Sequence, residues 1–267
     1  MEIIGYISAL LIGLSLGLIG SGGTIVALPI FVYLFQIKDM TTATHYSLFV
    51  VGIVAAFGAF KKYKEDLVDF KTAIAFLIPS LISLTITRKV ILPIIPNEII
   101  TTGNFVLTKD IFLLILFAAI MLFSSISMIA SSKQKDVDCF AKIPKYNANP
   151  IKTTIIAIIV GALTALLGAG GGFLIIPVLI LLKEHCMRRA IGTSLIIITV
   201  NSLIGFVSDI NEAIDWKMLL LFTSIAIGGM FLGIKWSEKI EGEKLKRLFG
   251  ILVLIMGIGI IIKELVV

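Results

Sequence analysis

No aspartate or glutamate falls inside any of the long apolar runs of this 267-residue chain, and charged residues make up only 15% of it. A soluble globular domain carries roughly a quarter charged and about half apolar residues. Here 58% are apolar and the mean hydropathy is +1.08, which rules out a water-soluble fold. The missing acids remove the carboxylate relay that many proton pumps carry at membrane depth. Proton coupling would then fall to His45 or to the substrate itself. The two cysteines, Cys139 and Cys186, have no ligand or redox spacing and read as free thiols in loops. A basic n-region is absent, since only Met1-Glu2 precedes the first apolar run, so the first helix is expected to stay uncleaved. No HExxH, no nucleophile beside a base and no metal cluster occurs, so neither an enzyme nor a metal or other cofactor is expected. The net charge of +6 does not imply nucleic acid as partner, because its Lys and Arg sit in short loops where membrane orientation explains them.

What the chain does have is apolar length. Segments 3–35, 46–60, 72–87, 111–130, 153–182, 190–208, 218–234 and 248–262 are apolar, and 111–130 is free of charge. At ~1.5 Å rise per residue such a segment crosses a ~30 Å hydrocarbon core as helix. Outer-membrane barrels alternate apolar and polar residues, and these runs are continuous. The fold class is all-α, a polytopic membrane protein in the bilayer.

The two halves of the chain repeat each other. Gly20-Ser21-Gly22-Gly23-Thr24, four residues and Pro29 return as Gly168-Ala169-Gly170-Gly171-Gly172, four residues and Pro177. Ala43 to Leu48 matches Ala190 to Leu195, Gly58 matches Gly205, and Asp69-Phe70-Lys71 matches Asp215-Trp216-Lys217. The polar stretch 131–152 reads as a cytoplasmic linker between a first repeat, 1–130, and a second, 153–267, in one membrane domain. If 3–35 and 153–182 each cross once, Lys and Arg divide 12 to 11 between the two sides. If each folds back at its glycines as a hairpin, the division becomes 17 to 6, and the positive-inside rule selects the hairpins. Each repeat is then a glycine-broken hairpin plus three transmembrane helices. The second enters from the opposite face, giving an inverted-topology pair of the kind secondary transporters use.

Backbone that leaves the helix inside a bilayer survives only where protein, water or a ligand satisfies it. A helix restarting after each glycine turn, near Thr24 and Gly172, offers free N–H groups and the positive end of its dipole, an anion site without a full charge. Gly20, Ser21, Gly22, Gly23 and Thr24 form the first turn; Gly168, Gly170, Gly171 and Gly172 form the second. His45, Ser47, Thr193, Ser194 and Asn201 are the nearby polar residues that could face a bound anion. Asp69 and Asp215 are expected to cap the helices that follow them. The glycines of Gly228-Gly229-x3-Gly233 are expected to serve helix packing. GAGGG is no nucleotide fingerprint, lacking a preceding strand and a following Lys-Ser/Thr.

The doubled G-x-G-G-(T/G)-x4-P, the A-x-G-T-S-L of Ala190 to Leu195 and the D-F/W-K pairs resemble the sulfite exporter TauE/SafE family, also called toluene-sulfonate uptake permeases. That resemblance covers essentially the whole chain in both repeats. It implies a multi-pass transporter of the cell (inner) membrane whose partner is a small anionic substrate such as sulfite, a sulfonate or sulfoacetate. The first repeat departs from the pattern, with His45-Tyr46 where the second has Gly192-Thr193, and Thr24 for the last glycine. The expectation is a secondary transporter in which one repeat rocks against the other. Protons as coupling ion and a homo-oligomer are left open. The alternatives are a passive anion channel or a membrane component that binds a partner protein.

Overall fold

Side-chain caps start the long helices. In the computed structural model, which describes residues 2–37, 39–96, 98–102, 105–132, 150–167, 172–181, 186–208 and 214–266, Asp39 accepts the Thr42 amide at 2.7 Å and opens α3 (Met40–Lys64). Asp69 accepts the amides of Lys71 and Thr72 and opens α4 (Phe70–Ile86), while Asp215 accepts that of Met218 and opens α10 (Trp216–Ser237). Both aspartates thus cap as the sequence predicts. Cys186 Sγ takes the Arg189 amide at the start of α9 (Met187–Val207). Cys186 is also disulfide-bonded, which corrects the free-thiol reading for it. Cys139 lies outside the described residues.

The remaining elements complete two sets of helices. The first set holds α1 (Glu2–Ile19), α2 (Gly22–Pro29), α3, α4 and α6 (Lys109–Ser131). The second holds α7 (Pro150–Leu167), α8 (Gly172–Leu181), α9, α10 and α11 (Gly242–Val266). A π-helical turn, Ile30–Leu34, lengthens α2. A second, Thr87–Ile91, carries α4 on into α5 (Leu92–Ile94), so that Arg88 and Lys89 lie within a helix instead of in the loop the apolar pattern implied. A small antiparallel hairpin, β1 (Glu98–Thr102) with β2 (Phe105–Thr108), precedes α6. Among the described residues six helices are long and apolar enough to cross a membrane.

The polarity is arranged for lipid. On α4 the isoleucines 74, 78, 82 and 86 recur every fourth residue and are all exposed, while Thr72, Ser80 and Ser83 of the same helix are buried. Four-residue spacing keeps a stripe on one helix face. An apolar stripe turned outward over buried hydroxyls is costly in water and stable only against acyl chains.

The packing is unchanged when the two sets are exchanged. α1 packs on α10 and α7 on α4; α3 packs on α10 and α9 on α4; α3 pairs with α9, α6 with α11 and α2 with α8. Leu48 lies against Gly205, Gly52 against Ser202 and Leu203, and Gly58 against Leu195, so α3 and α9 run antiparallel. Gly250 lies against Ser125 and Ile129, and Gly257 against Met121 and Ala118, so α6 and α11 do the same. Helices that the internal duplication makes equivalent therefore run in opposite directions.

The tightest joint is α1 on α10. A Cβ on Gly13 would stand 1.8 Å from the Ala226 carbonyl oxygen, one on Gly17 2.2 Å from that of Met230, and those on Gly229 and Gly233 2.3 Å from the carbonyls of Leu10 and Leu14. Two backbones are in direct contact through four glycines at small-xxx-small spacing. The packing role expected of Gly229 and Gly233 holds; Gly228 faces open space. Gly13→Ala or Gly229→Ala is expected to destabilise the fold by about 1–3 kcal/mol through overpacking against backbone. Gly228→Ala, on the same helix, should be neutral within about 0.5 kcal/mol. Thermal unfolding of the three variants in one detergent tests this, and equal melting temperatures would refute it.

Candidate functional site

The site is assembled where the two short helices begin. Gly20 adopts φ +79°, a conformation that favours glycine, and turns the chain between α1 and α2. A Cβ there would strike Ile191 of α9. Ser21 stands at the N-cap of α2, fully buried, with no capping bond and no hydrogen-bond partner for its hydroxyl. Gly22 and Gly23 form the first turn of α2, packed on Ser15 and Leu16 of α1. Thr24 is buried, and its hydroxyl donates to the Ser21 carbonyl at 2.7 Å.

Gly172 opens α8, and a Cβ there would stand 2.5 Å from Ile198 of α9 and 2.9 Å from the Thr24 methyl. The starts of α2 and α8 thus meet side by side against α9. Gly168, Gly170 and Gly171 lie outside the described residues.

One face of α9 lines this centre. Ser194, Ile198, Asn201 and Gly205 follow at four, three and four residues, a spacing that keeps them on one side of a helix. Asn201 is buried; its amide nitrogen donates to Ser80 Oγ of α4 at 3.5 Å, and its Oδ1 has no partner. The neighbouring Ser202 hydroxyl is also fully buried without a partner. On α3 the equivalent face carries Ser47, whose hydroxyl is again buried and unpartnered. Ser194 donates to the Ile191 carbonyl at 2.8 Å. His45 is buried one and a half turns into α3, within electrostatic reach of Asp39. Burial raises the Asp39 carboxyl, but hydrogen bonds from the Thr42 side chain and the amides of Thr42 and Thr41, with His45 nearby, outweigh it and hold the group below the ordinary carboxylate value.

Thr193 goes elsewhere. Its hydroxyl accepts the Asp69 amide at 3.0 Å, tying the first turn of α9 to the cap of α4. Tyr46, the residue equivalent to Thr193 in the first repeat, accepts the Asp215 amide at 3.0 Å and ties α3 to the cap of α10. The two bonds are counterparts, and both cross between the sets. The structure thus brings Thr24 and Gly172 together against α9, directs Asn201 to Ser80 of α4, and gives Thr193 a structural bond.

Sequence reading passed over Ser80 and Arg88. Ser80 follows Pro79 in the middle of α4, and a proline-serine pair in an apolar helix is the signal that marks it. Arg88 was hidden because the apolar run ends at Thr87, whereas the π-turn continues the helix through it. It is buried, and its Nη1 donates to the Gly205 carbonyl of α9 at 2.7 Å.

Comparison with known proteins agrees with this architecture. The family described as sulfite exporter TauE/SafE matches residues 6–260. A probable membrane transporter protein of Xylella fastidiosa is 25% identical over 263 residues, covering 94% of this chain and 91% of the relative. The probable membrane transporter protein YunE of Bacillus subtilis is 26% identical over 271 residues, covering 96% of this chain and 97% of the relative. One from Methanocaldococcus jannaschii is 25% identical over 267 residues, 93% and 92% of the two chains. No solved structure matches the chain.

The paired hydroxyl ties make unequal predictions. Asp69 is buried and Asp215 is exposed, so water can replace Tyr46 but not Thr193 as acceptor. Thr193→Val should cost about 1–3 kcal/mol for a buried amide left unpaired, and Tyr46→Phe at most about 1 kcal/mol. Melting temperatures of the two variants check the order; Tyr46→Phe as the more damaging change would refute it.

Proposed function

The chain belongs to the sulfite exporter TauE/SafE family and is a multi-pass transporter of the cell membrane, and from that premise we propose that it is a secondary transporter of a small oxidised-sulfur anion of the sulfite, sulfonate or sulfoacetate kind. The observation that carries this reading is the group of buried polar atoms without partners, Ser21 Oγ, Ser47 Oγ, Asn201 Oδ1 and Ser202 Oγ. Each costs free energy in an apolar core unless something polar visits it. The amides at the start of α2 and the hydroxyls of Ser21 and Ser47 are hydrogen-bond donors, the complement an oxyanion requires. Asn201 is anchored to Ser80 through its amide nitrogen, so it contributes position as well as polarity.

Alternating access follows from two inverted repeats, 1–130 and 153–267 about the linker 131–152. Antiparallel equivalent helices support that arrangement: a path closed at one end is related by the repeat to the same path closed at the other. His45, buried near the start of α3, is the candidate for carrying a proton with the anion. A partner-binding component has no use for buried unpaired polar atoms, and saturation of flux separates a transporter from a channel.

Purified protein in liposomes should show saturable sulfite flux that responds to an imposed pH gradient. Ser21→Ala and Ser47→Ala should each raise KM for sulfite about 10-fold, by about 1.4 kcal/mol of lost binding. Their melting temperatures should stay level or rise, because removing an unsatisfied buried hydroxyl costs the fold little. Non-saturating flux would move the reading to a channel. Variants with lower melting temperatures and unchanged KM would make the hydroxyls structural and the site wrong.

A further inference from the structure

We propose that the Lys62 ammonium receives the anion at the Lys-rich end of the transport path by exchanging its partner Glu65 for it; this deepens the transport reading and rests on it. Lys62 lies in the last turn of α3, within the membrane-spanning stretch Thr41–Lys64. Its side chain is only 2% exposed, whereas those of Lys61 and Glu65 beside it are 34% and 28% exposed. Cations buried in membrane-spanning helices are costly and are typically kept for function.

The plain alternative is that the pair merely finishes the helix. Glu65 is the C-cap residue of α3, and a cation near a helix C-terminus does favour the dipole. Lys61 and Lys64 of the same turn supply that service from more exposed positions, without the cost of burial. The ammonium group has three donors. Among the described residues its acceptor is Glu65 Oε2, at 2.6 Å. A buried ammonium with one acceptor is under-satisfied. A small oxyanion, which brings several oxygens and a negative charge, is the ligand that completes it.

Location ties the group to the path. A Cβ on Gly192 of α9 would stand 3.2 Å from the Lys62 Cβ. One on Gly20, at the break between α1 and α2, would meet Ile191, the preceding residue of α9. Lys62 and the glycine break therefore pack on consecutive residues of one helix. Glu65 also has somewhere to go when the anion displaces it. Its other carboxylate oxygen is 4.0 Å from Lys61 Nζ, so a short movement carries it from one lysine to the next. Until then the carboxylate competes with the anion for the same ammonium.

That competition gives the test its sign. Three full-length variants are compared with wild type, using sulfite as probe. Lys62→Met keeps the buried stem and removes the charge; Glu65→Gln keeps an acceptor for the ammonium and removes the competing charge; the third combines the two. KM for sulfite flux into liposomes is measured, together with the rise in melting temperature that sulfite induces. The expected result is KM raised at least about 10-fold in Lys62→Met and lowered about 3-fold in Glu65→Gln, with the double variant following Lys62→Met. The sulfite-induced rise should shrink in the first variant and grow in the second. A purely structural pair predicts lower melting temperatures for both single variants, with KM unchanged or moved in the same direction. That result would overturn the exchange and leave Lys62 a helix-end residue. Should Lys62→Met fail to fold, Glu65→Gln decides alone, because an unchanged or raised KM there overturns the proposal. A folded wild type that neither binds nor carries sulfite would overturn the transport reading, and this proposal with it.

Discussion

A helix that ends inside a bilayer leaves amides or carbonyls that lipid cannot satisfy. α2 begins at Gly22 only three residues after α1 ends at Ile19, and everything else in the architecture serves to keep that break away from acyl chains. The long helices α3 and α9 stand against it, α1 is held onto α10, and the isoleucine stripe of α4 faces outward. Beside that break, at the N-cap of α2, the Ser21 hydroxyl stays buried without a partner.

The shell is symmetric and its contents are not. Backbone-scale contacts obey the exchange of the two sets: α1 with α10 mirrors α7 with α4, and the Tyr46–Asp215 tie mirrors Thr193–Asp69. Polar side chains break it. Asn201-Ser202 stands where the first repeat has Val54-Ala55, Arg88 where the second has Ile234, and Thr24 where the second has Gly172. Duplication supplies two related halves; the polar differences give each half its own chemistry. A path with identical ends would distinguish the two sides of the membrane only through the gradients across it.

Much of this was legible in the chain. Eight apolar runs, the doubled glycine turns and the basic-residue count led to the hairpin at 3–35, and the structure breaks that segment at Gly20-Ser21 into α1 and α2. The caps at Asp69 and Asp215 could be read because capping is local. What escaped was set by tertiary contact. Thr193 has the composition of a ligand group, and only the fold brings the Asp69 amide to it. Arg88 is hidden from hydropathy because a π-turn has no periodicity that sequence reveals. Cys186 read as free because its spacing along the chain says nothing of pairing through the fold.

The glycine joint constrains how such a molecule can move. α1 comes from the first repeat and α10 from the second, yet their backbones touch through Gly13, Gly17, Gly229 and Gly233. Van der Waals contact of that density is rigid, because any slide puts backbone atoms into backbone atoms. The same kind of joint recurs between α7 and α4, where Gly161 rests on the Ser80 carbonyl, so each repeat is held to the other backbone to backbone at two places. At the Lys-rich end, exposed charge pairs also join the helices. Lys61 reaches Glu238 at 3.4 Å across partly exposed side chains, a pair of the kind worth about 0–1 kcal/mol. Lys62, by contrast, is buried and paired with Glu65 at 2.6 Å within its own helix end, so it travels with α3. The same end is also held by Arg188, which donates to the carbonyls of Glu238 and Ile240, and by Gly192, packed against the Leu67 carbonyl, so its closure rests on more than surface pairs.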